Sequence, residues 1–384
     1  MSVQTRVLIL GGGYAGVMAA NRLAAAARPG LAVRLVNPRG QFVERIRLHE
    51  YAAGTRAGVA VPFDRLLHPA VRQVPGTAVA IDAGRRTVGL ADGETLPYDY
   101  LLYAVGSTGP AAPAGALAVA DVADAAAART SLRSLPAGAA VAIVGGGLTA
   151  LETAAETARA HPRLRVHLWC SALPGPSLPE PSRAGLLRSL RRAGVQVHPE
   201  VPVSAAADPR GQLGADLVLW CTGFSVPDLA ARSALPVDGA GRLRVDASLR
   251  AAGQDRVFGA GDAAVIEDPG YAYLRMSCAA AMPMGAEAAG NILRALEGLP
   301  LRRHDSGFQA QCISLGRADG LVQFVGTDDT PRSLHLHGRT AAVLKEIICR
   351  MTLRWIRSEA KRSGAYSWPK GPRALRRTPV ESRP

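Results

Sequence analysis

The sequence has little of what marks several common classes of protein. No apolar run in it approaches the roughly 18 residues that a membrane-spanning helix needs. Only 5% of the 384 residues are aromatic, whereas 48% are hydrophobic and 41 are glycine. This composition is typical of a globular α/β protein with tight turns and alanine-rich helices, and it argues against a disordered or fibrous chain.

Cysteines are few, odd in number and widely separated. They are Cys170, Cys221, Cys278, Cys312 and Cys349. Because no Cys-x-x-Cys pair occurs, we expect no disulfide framework, no metal site and no closely spaced redox dithiol. The first residues lead directly into an apolar strand without a signal-peptide pattern, so we expect a cytoplasmic protein.

Lysine is nearly absent, since Lys345, Lys361 and Lys370 are its only occurrences, and arginine carries most of the net charge of +14. A basic balance of this size is compatible with nucleic acid, anionic lipid or anionic cofactors, and also with an arginine-biased genome. No nucleic-acid-binding module accompanies the charge, so we expect no nucleic-acid partner.

Two segments of the chain repeat one pattern. Residues 5–10 (TRVLIL) lead into a glycine turn that begins at Gly11, and residues 139–144 (AAVAIV) lead into one that begins at Gly145. An alanine-rich helical stretch and a second apolar strand, at 32–37 or 165–170, follow each turn. Strand, glycine turn, helix and strand make the βαβ unit that binds a mononucleotide.

The glycines in these turns have separate roles in dinucleotide binding. The first permits the tight turn, the second lets the backbone approach a diphosphate, and the third allows helix and strand to pack closely. The diphosphate then binds the free N–H groups at the positive end of the helix. Gly11, Gly13 and Gly16 fit the three roles, whereas Gly145 and Gly147 are followed by Ala150 at the third position, which the pattern also admits.

The second strand of each unit lacks the acidic residue that commonly binds a ribose. Asn37 ends the first unit and can still accept a ribose hydrogen bond. Trp169-Cys170-Ser171 ends the second, with neither a carboxylate that favours NADH nor an arginine for a 2′-phosphate. The choice between NADH and NADPH therefore stays open.

Further motifs follow the first turn in a characteristic order. They are Ala104-Val105-Gly106, the second turn with Glu152, Cys-Thr-Gly-Phe at 221–224, and Gly-Ala-Gly-Asp at 259–262. Over roughly residues 5–300 the chain resembles the pyridine nucleotide oxidoreductases with two dinucleotide-binding domains, in their type II NADH dehydrogenase-like branch.

The resemblance implies an α/β fold with two Rossmann-like domains, the second inserted in the first. Residues 1–110 and 245–300 would form the FAD domain, 111–244 the NAD(P) domain, and 301–384 a small α+β region with a basic helix and tail. The implied FAD-binding residues are Gly11, Gly13, Tyr14, Ala15, Gly16, Asn37, Pro38, Arg45, Val79, Ala104, Gly106, Gly261, Asp262 and Pro283. Those implied around NAD(P)H are Gly145, Gly147, Glu152 and Gly223.

Within this set, Asp262 would bind ribityl or ribose hydroxyls, unless it only caps a short helix. A helix opening near Pro283 would direct its positive end at the flavin pyrimidine. Glu152 is the candidate catalytic residue, placed to orient the nicotinamide or relay a proton, unless it merely pairs with an arginine on an exposed helix. His49 and Glu50 lie in a segment carried toward the flavin, and we assign them no catalytic role.

The family's quinone-pocket pattern is Ala-Gln-x-Ala-x-Gln-x-Gly, and the corresponding stretch Cys278–Gly285 lacks both glutamines. The electron acceptor is therefore open. We expect an FAD enzyme that oxidises NAD(P)H and reduces a quinone or another small organic acceptor. The alternatives are a specialised flavoprotein acting on a biosynthetic intermediate and a flavin-bearing redox sensor with little turnover.

Residues 341–361 predict a basic amphipathic helix. Its apolar stripe consists of Val343, Leu344, Ile347, Ile348, Met351 and Trp355. Such a helix can lie on the anionic inner face of a membrane, or dock on the protein body or a second subunit. We favour docking, and we keep peripheral membrane contact and a homodimer as alternatives.

Overall fold

The structure is a computed structural model and describes residues 4–376. Within them, strands β1 to β20 span, in chain order, Thr5–Leu10, Leu31–Asn37, Gln41–Val43, Ala60–Pro62, Val71–Pro75, Ala78–Asp82, Thr87–Leu90, Thr95–Pro97, Tyr100–Tyr103, Ala116–Ala118, Ala140–Val144, Arg165–Trp169, Val195–His198, Leu217–Trp220, Leu243–Val245, Val257–Gly259, Ala264–Ile266, Ala310–Ser314, Gly320–Val325 and Pro331–His337. Helices α1 to α9 span Tyr14–Ala25, Leu48–Ala53, Val122–Ser134, Leu148–Ala160, Glu180–Arg192, Pro209–Leu213, Leu229–Arg232, Cys278–Leu296 and Gly338–Lys361.

A parallel sheet in the order β16-β9-β1-β2-β5 carries the first glycine turn. Its central strands are almost wholly apolar, as expected where helices cover both faces of a parallel sheet. A second parallel sheet, in the order β10-β14-β11-β12-β13, carries the second turn. The predicted fold class, with two Rossmann-like sheets, is thus confirmed.

Small residues let α1 and α8 pack closely beneath the first glycine turn. A side chain at Gly285 of α8 would collide with the backbone of Ala15 on α1, so only glycine fits there. Gly261, with φ +79°, brings its loop against the same alanine, where a Cβ would lie 3.2 Å from the Ala15 Cβ. The loop before Asp262 is therefore held against the start of α1.

The start of α8 differs from the sequence prediction. The helix begins at Cys278 rather than near Pro283, and the Ser277 side chain caps it by accepting from the Ala280 N–H at 3.3 Å. Pro283 is therefore inside the helix and not at its first turn. The serine cap, which can satisfy free N–H groups at a helix start, decides this boundary, whereas proline indicates only a preference.

Strand β10, which follows the first unit, pairs with β14 in the second sheet. On the return path, Leu229, Ala230 and Leu235 pack in the hydrophobic core of the first sheet. The division of the chain into domains at residues 110 and 244 stays a prediction, and this packing favours a return to the first unit soon after Ser225.

The C-terminal region consists of the antiparallel sheet β18-β19-β20 followed by α9. The helix lies where the sequence predicts it and docks on the body, against α1 and the sheet β18-β20. Its buried face consists of Ala341, Cys349, Thr352, Ile356 and Glu359.

The predicted apolar stripe does not coincide with this docked face, since Val343 and Ile347 are exposed. The difference has a polar cause, because Glu359 is fully buried and accepts from Arg22 Nε at 2.6 Å and from the Gly364 and Tyr366 N–H groups at 2.7 Å. A hydrophobic pattern cannot show that a charged residue has buried partners.

No helix in the described part of the chain is both long enough and apolar enough to cross a bilayer.

Replacing isoleucine by alanine should affect stability strongly on the buried face of α9 and only slightly on its exposed face. Ile356 is 0% exposed and Ile347 is 47% exposed. We expect Ile356→Ala to lower the free energy of unfolding by about 2–5 kcal/mol. The control Ile347→Ala should change it by less than about 0.5 kcal/mol. Urea denaturation measures both, and equal losses would show that α9 is not docked on the face described.

Candidate functional site

The first glycine turn contains two glycines that the fold requires and one that leaves open space. A side chain at Gly11, where φ is +100°, would strike the Ala104 carbonyl, and one at Gly16 would strike the carbonyl of Gly11. Gly13 caps α1 with extended backbone, and a Cβ there would meet no atom within 4 Å. The open space at Gly13 is therefore where a diphosphate can approach the start of α1.

Asn37 stabilises this turn from the end of β2. Its Oδ1 accepts from the Gly12 N–H at 2.9 Å, and its Nδ2 donates to the Arg39 carbonyl at 2.6 Å. Pro38 follows on the surface. The amide oxygen keeps a second lone pair, so the predicted ribose contact stays a prediction beside this structural role.

Two other residues of the predicted set lie differently around the turn. The ring of Tyr14 packs edge-on against Phe42, with ring centroids 4.9 Å apart, and is buried. Val79 is exposed on β6, three residues beyond Gly76, whose N–H donates to the Asn37 carbonyl. Val79 therefore lies near the adenosine end of the predicted site, whereas the Tyr14 ring belongs to the core.

Three distant segments of the chain meet at Asp262. Its Oδ2 accepts from the Ser107 Oγ at 2.6 Å, and the Ser107 carbonyl accepts from the Arg45 guanidinium. Burial lowers the pKa of Arg45, and Asp262 opposes that effect. Gly106, with φ +72°, has open space where a side chain would lie. A cation, a carboxylate and an open glycine thus lie together, which suits a diphosphate and polyol hydroxyls.

A cavity of about 290 Å³ adjoins this group. It lies between the loop at Gly261 and Asp262 and the first turns of α8, where Ala280 and Met284 line it. Because α8 begins at Cys278, its first turn lies beside the cavity, which Ala280 lines. The first turn of α8, and not Pro283, therefore carries the positive helix end toward this space.

The second glycine turn also has one glycine that the fold requires and one that leaves open space. A side chain at Gly145, where φ is +138°, would lie 2.6 Å from the Cys221 carbonyl. Gly147 caps α4 and is open, with no atom within 4 Å of a Cβ. Gly223, with φ +65°, is exposed after β14. At the end of β12 the Trp169 ring stacks on His198 at 3.9 Å, where a carboxylate is common.

Glu152 lies in the first turns of α4, but it is not on an exposed helix paired with an arginine. It is buried, and its Oε1 accepts from Lys345 Nζ at 3.0 Å and from the Ser314 N–H at 2.9 Å. Burial raises the pKa of Glu152, but Lys345 and His49 together lower it by more, so the net pKa is below the usual value. Glu152 therefore carries a negative charge beside the second turn.

Lys345 is a candidate site residue that the sequence did not indicate. Burial lowers its pKa, whereas Glu152 raises it by more, so the net pKa is above the usual value and the amine stays charged. A second hydrogen bond runs to the Cys312 carbonyl at 3.0 Å. Lysine rarity was the one available signal, since Lys345 is one of only three lysines and lies in the predicted amphipathic helix.

A wider network of buried charges surrounds this pair. Arg47 donates to Glu50 Oε1 at 3.0 Å and to Glu346 Oε2 at 2.7 Å. Arg317 contacts Glu50 at 3.0 Å and Glu156 at 3.1 Å. These residues come from α2 and the residue before it, from α4 and α9, and from the turn after β18, so the network joins both sheets to the C-terminal region.

Two open glycine turns, each opening a helix at the carboxyl end of a parallel strand, define a protein that binds two dinucleotides. The family profile described as pyridine nucleotide-disulphide oxidoreductase matches residues 5–285. The chain therefore belongs to that family. It is an NAD(P)H oxidoreductase of the NADH dehydrogenase-like branch, with FAD as its cofactor.

Relatives and solved structures are similar over most of their lengths. An NADH dehydrogenase-like protein of Mycobacterium tuberculosis is 31% identical over 90% of this chain and 93% of its own. Demethylphylloquinone reductase of Synechocystis is 30% identical over 77% and 81%. The sulfide:quinone oxidoreductase of Aquifex aeolicus superposes with a TM-score of 0.77 at 18% identity, covering 93% of this chain and 92% of that one.

The open glycines predict losses specific to each dinucleotide. Gly13→Val should fold normally, because its Cβ has room, but it should weaken FAD binding at least about tenfold, which equals about 1.4 kcal/mol. Gly147→Val should retain FAD and weaken NAD(P)H binding instead. Flavin absorbance per protein and NAD(P)H titration measure the two effects, and circular dichroism checks folding. A folded Gly13→Val protein with full FAD would refute the assignment.

Proposed function

We propose that the first glycine turn binds FAD, the second binds NAD(P)H, and the electrons pass to a quinone or another small organic acceptor. The carrying observation is that the Glu152–Lys345 ion pair lies beside the second turn, where α4, β18 and α9 meet. FAD, when bound, accepts hydride from NAD(P)H and delivers two electrons to the acceptor. The relative named as a demethylphylloquinone reductase supports a quinone as that acceptor.

The site residues fit these two ligands. Gly13 and Arg45 supply free backbone N–H groups and a positive charge for the FAD diphosphate. Asp262, oriented by Ser107, accepts from hydroxyls of the FAD chain. The first unit and the segment that returns to it after Ser225, up to about residue 300, accordingly form the FAD domain, and the residues between them form the NAD(P) domain.

Glu152 is proposed as a catalytic residue that orients the nicotinamide or handles a proton. Its carboxylate stays charged because Lys345 and the Ser314 N–H hold one oxygen. Two of the three Lys345 hydrogens bind Glu152 and the Cys312 carbonyl, so one is left for an acceptor oxygen. A positive donor at that point stabilises the negative charge that develops on a reduced acceptor.

A paired experiment tests this function. In stopped flow, NADH or NADPH should reduce the flavin, and a quinone should reoxidise it. Glu152→Gln should slow flavin reduction by about 10²-fold or more, with FAD content unchanged. The matched control is Glu156→Gln, one turn further along α4, which loses a buried ion pair to Arg317 without touching Lys345.

Both substitutions remove a buried carboxylate from an ion pair, so a similar loss of stability in both shows the structural part of the effect. Equal reduction rates in wild type and Glu152→Gln would make Glu152 merely structural. Fast flavin reduction with no quinone turnover would favour an enzyme for a different acceptor, which agrees with the two glutamines absent from Cys278–Gly285. Very slow reduction of the wild-type flavin would favour a sensor.

The exposed apolar residues of the C-terminal region are proposed to contact the inner face of a membrane peripherally. Leu334 on β20 and Val343 and Ile347 on α9 are exposed, and we name these three residues the apolar edge. Arg339 and Arg350 are exposed on the same helix. Apolar residues flanked by arginine suit an anionic lipid surface, and that surface is where a lipid-soluble quinone is found.

The apolar edge predicts membrane binding that can be removed without disturbing the fold. The double variant Val343→Ser/Ile347→Ser should lose co-sedimentation with anionic liposomes, because neither residue is buried. Binding of the wild type should weaken as salt rises past about 0.15 M, where the screening length is about 8 Å. Leu299→Ser, exposed elsewhere, is the control. If instead the double variant changes only the elution volume in size-exclusion chromatography, the apolar edge joins two copies of the chain.

A further inference from the structure

His49 is a buried histidine that has no assigned role in the fold or in the candidate site. It lies on α2, is 3% exposed, and faces both α4 and α9. Its Nδ1 is 3.6 Å from Glu152 Oε2, and its Nε2 is 4.0 Å from Glu50 Oε1. Within residues 4–376 no hydrogen-bond partner is found for that Nε2. The ring thus lies between two carboxylates without being held by either.

Glu152 divides its two oxygens between different neighbours. Oε1 accepts both the Lys345 ammonium and the Ser314 N–H, while Oε2 is the oxygen nearest His49. A carboxylate held by one oxygen can exchange a proton at the other without losing its position. The geometry therefore leaves Glu152 Oε2 available to the imidazole.

Glu50, on the other side of the ring, connects to the surface through two arginines. Its carboxylate is buried, but it contacts Arg317 at 3.0 Å and Arg56 at 3.5 Å. The side chains of these arginines are 43% and 31% exposed. Solvent therefore reaches the far side of the Glu50 ion pairs, whereas His49 and Glu152 are enclosed.

Burial, more than the surrounding charges, favours the neutral form of His49. Burial lowers the pKa of His49 below the usual histidine value, Lys345 lowers it further, and the nearby carboxylates oppose both effects. The charged groups that face it or its carboxylate partners are Glu50, Arg47, Arg56, Glu152, Glu156, Lys345 and Arg317. A neutral imidazole has one N–H and one free nitrogen, so it can take a proton on one side and release one on the other.

We propose that His49 carries protons between Glu50, on the solvent side, and Glu152, beside the reacting groups, from where Lys345 passes them to the acceptor. This inference rests on the function proposed above. The overall reaction, NAD(P)H + H⁺ + quinone → NAD(P)⁺ + quinol, takes one proton from water for each hydride. The enclosed ion pair Glu152–Lys345 needs a route by which that proton is replaced, and His49 is the titratable group between it and Glu50.

The first test separates proton delivery from structure. His49→Gln keeps a polar side chain but cannot carry a proton. His304→Gln is the control, since His304 is also buried and its ring is hydrogen-bonded to Ser306 at 2.7 Å. We expect His49→Gln to retain FAD and reduction by NAD(P)H within about twofold. Its turnover with quinone should fall by about 10²-fold, and the solvent deuterium isotope effect on kcat should rise. The pH-rate limb below the usual histidine pKa should disappear.

The second test needs no turnover. Histidine ring NMR signals of the full-length protein follow the titration of His49. Its pKa should fall further in Glu152→Gln, because Glu152 raises it, and rise in Lys345→Met, because Lys345 lowers it. A His49 pKa that moves in neither variant would overturn the proposal, because the ring would then not interact with Glu152 and Lys345.

The outcomes of the two proposals are distinct. If the wild type turns over quinone and His49→Gln matches it in rate, isotope effect and pH profile, the proton route is wrong and the function stands. If the wild type reduces neither quinone nor any other acceptor, the proposed function fails, and the route fails with it even though His49 still senses Glu152. Equal losses in His49→Gln and His304→Gln would show a structural effect and also overturn the route.

Discussion

Buried charge at the meeting point of α2, α4 and α9 constrains how the parts of this chain can be arranged. Glu50, Glu156 and Arg47 are almost wholly buried, and each has at least one partner on a distant element. A buried charge is tolerated only when it is paired, and removal of one partner costs about 3–5 kcal/mol. The second sheet, the first sheet and the C-terminal helix therefore have to meet in one register for every member to be paired.

That constraint has a consequence for the chemistry. Lys345 comes from the last helix of the described chain, yet it completes a charge pair with a residue at the second glycine turn. The docking of α9 is thus part of building the site and does not only cover the core. The polar residues Thr352 and Glu359 lie on the docked face and Lys345 is partly buried beside Glu152, whereas Val343 and Ile347 of the same helix are exposed.

Glycine has two separate uses in the molecule. At Gly16, Gly145 and Gly285 the absence of a side chain lets backbones approach, so the fold itself requires these residues. At Gly13 and Gly147 the same absence leaves a space at the start of a helix, which nothing in the protein fills. The first use positions the helix ends, and the second leaves them free to bind phosphate groups. Both dinucleotide turns depend on having one glycine of each kind.

The sequence alone was sufficient for the parts that depend on neighbouring residues. Two strand–glycine–helix repeats predicted two parallel sheets, and the order of later motifs predicted the family, because turn geometry and strand hydrophobicity are set within short stretches of chain. The start of α8 was predicted near Pro283, whereas the Ser277 side chain caps the helix and it begins at Cys278, five residues earlier. The choice of docked face on α9, the partner of Glu152 and the place of His49 were decided only by tertiary structure. Each depends on a charge more than a hundred residues away in the chain, and a buried charge looks the same in sequence as an exposed one.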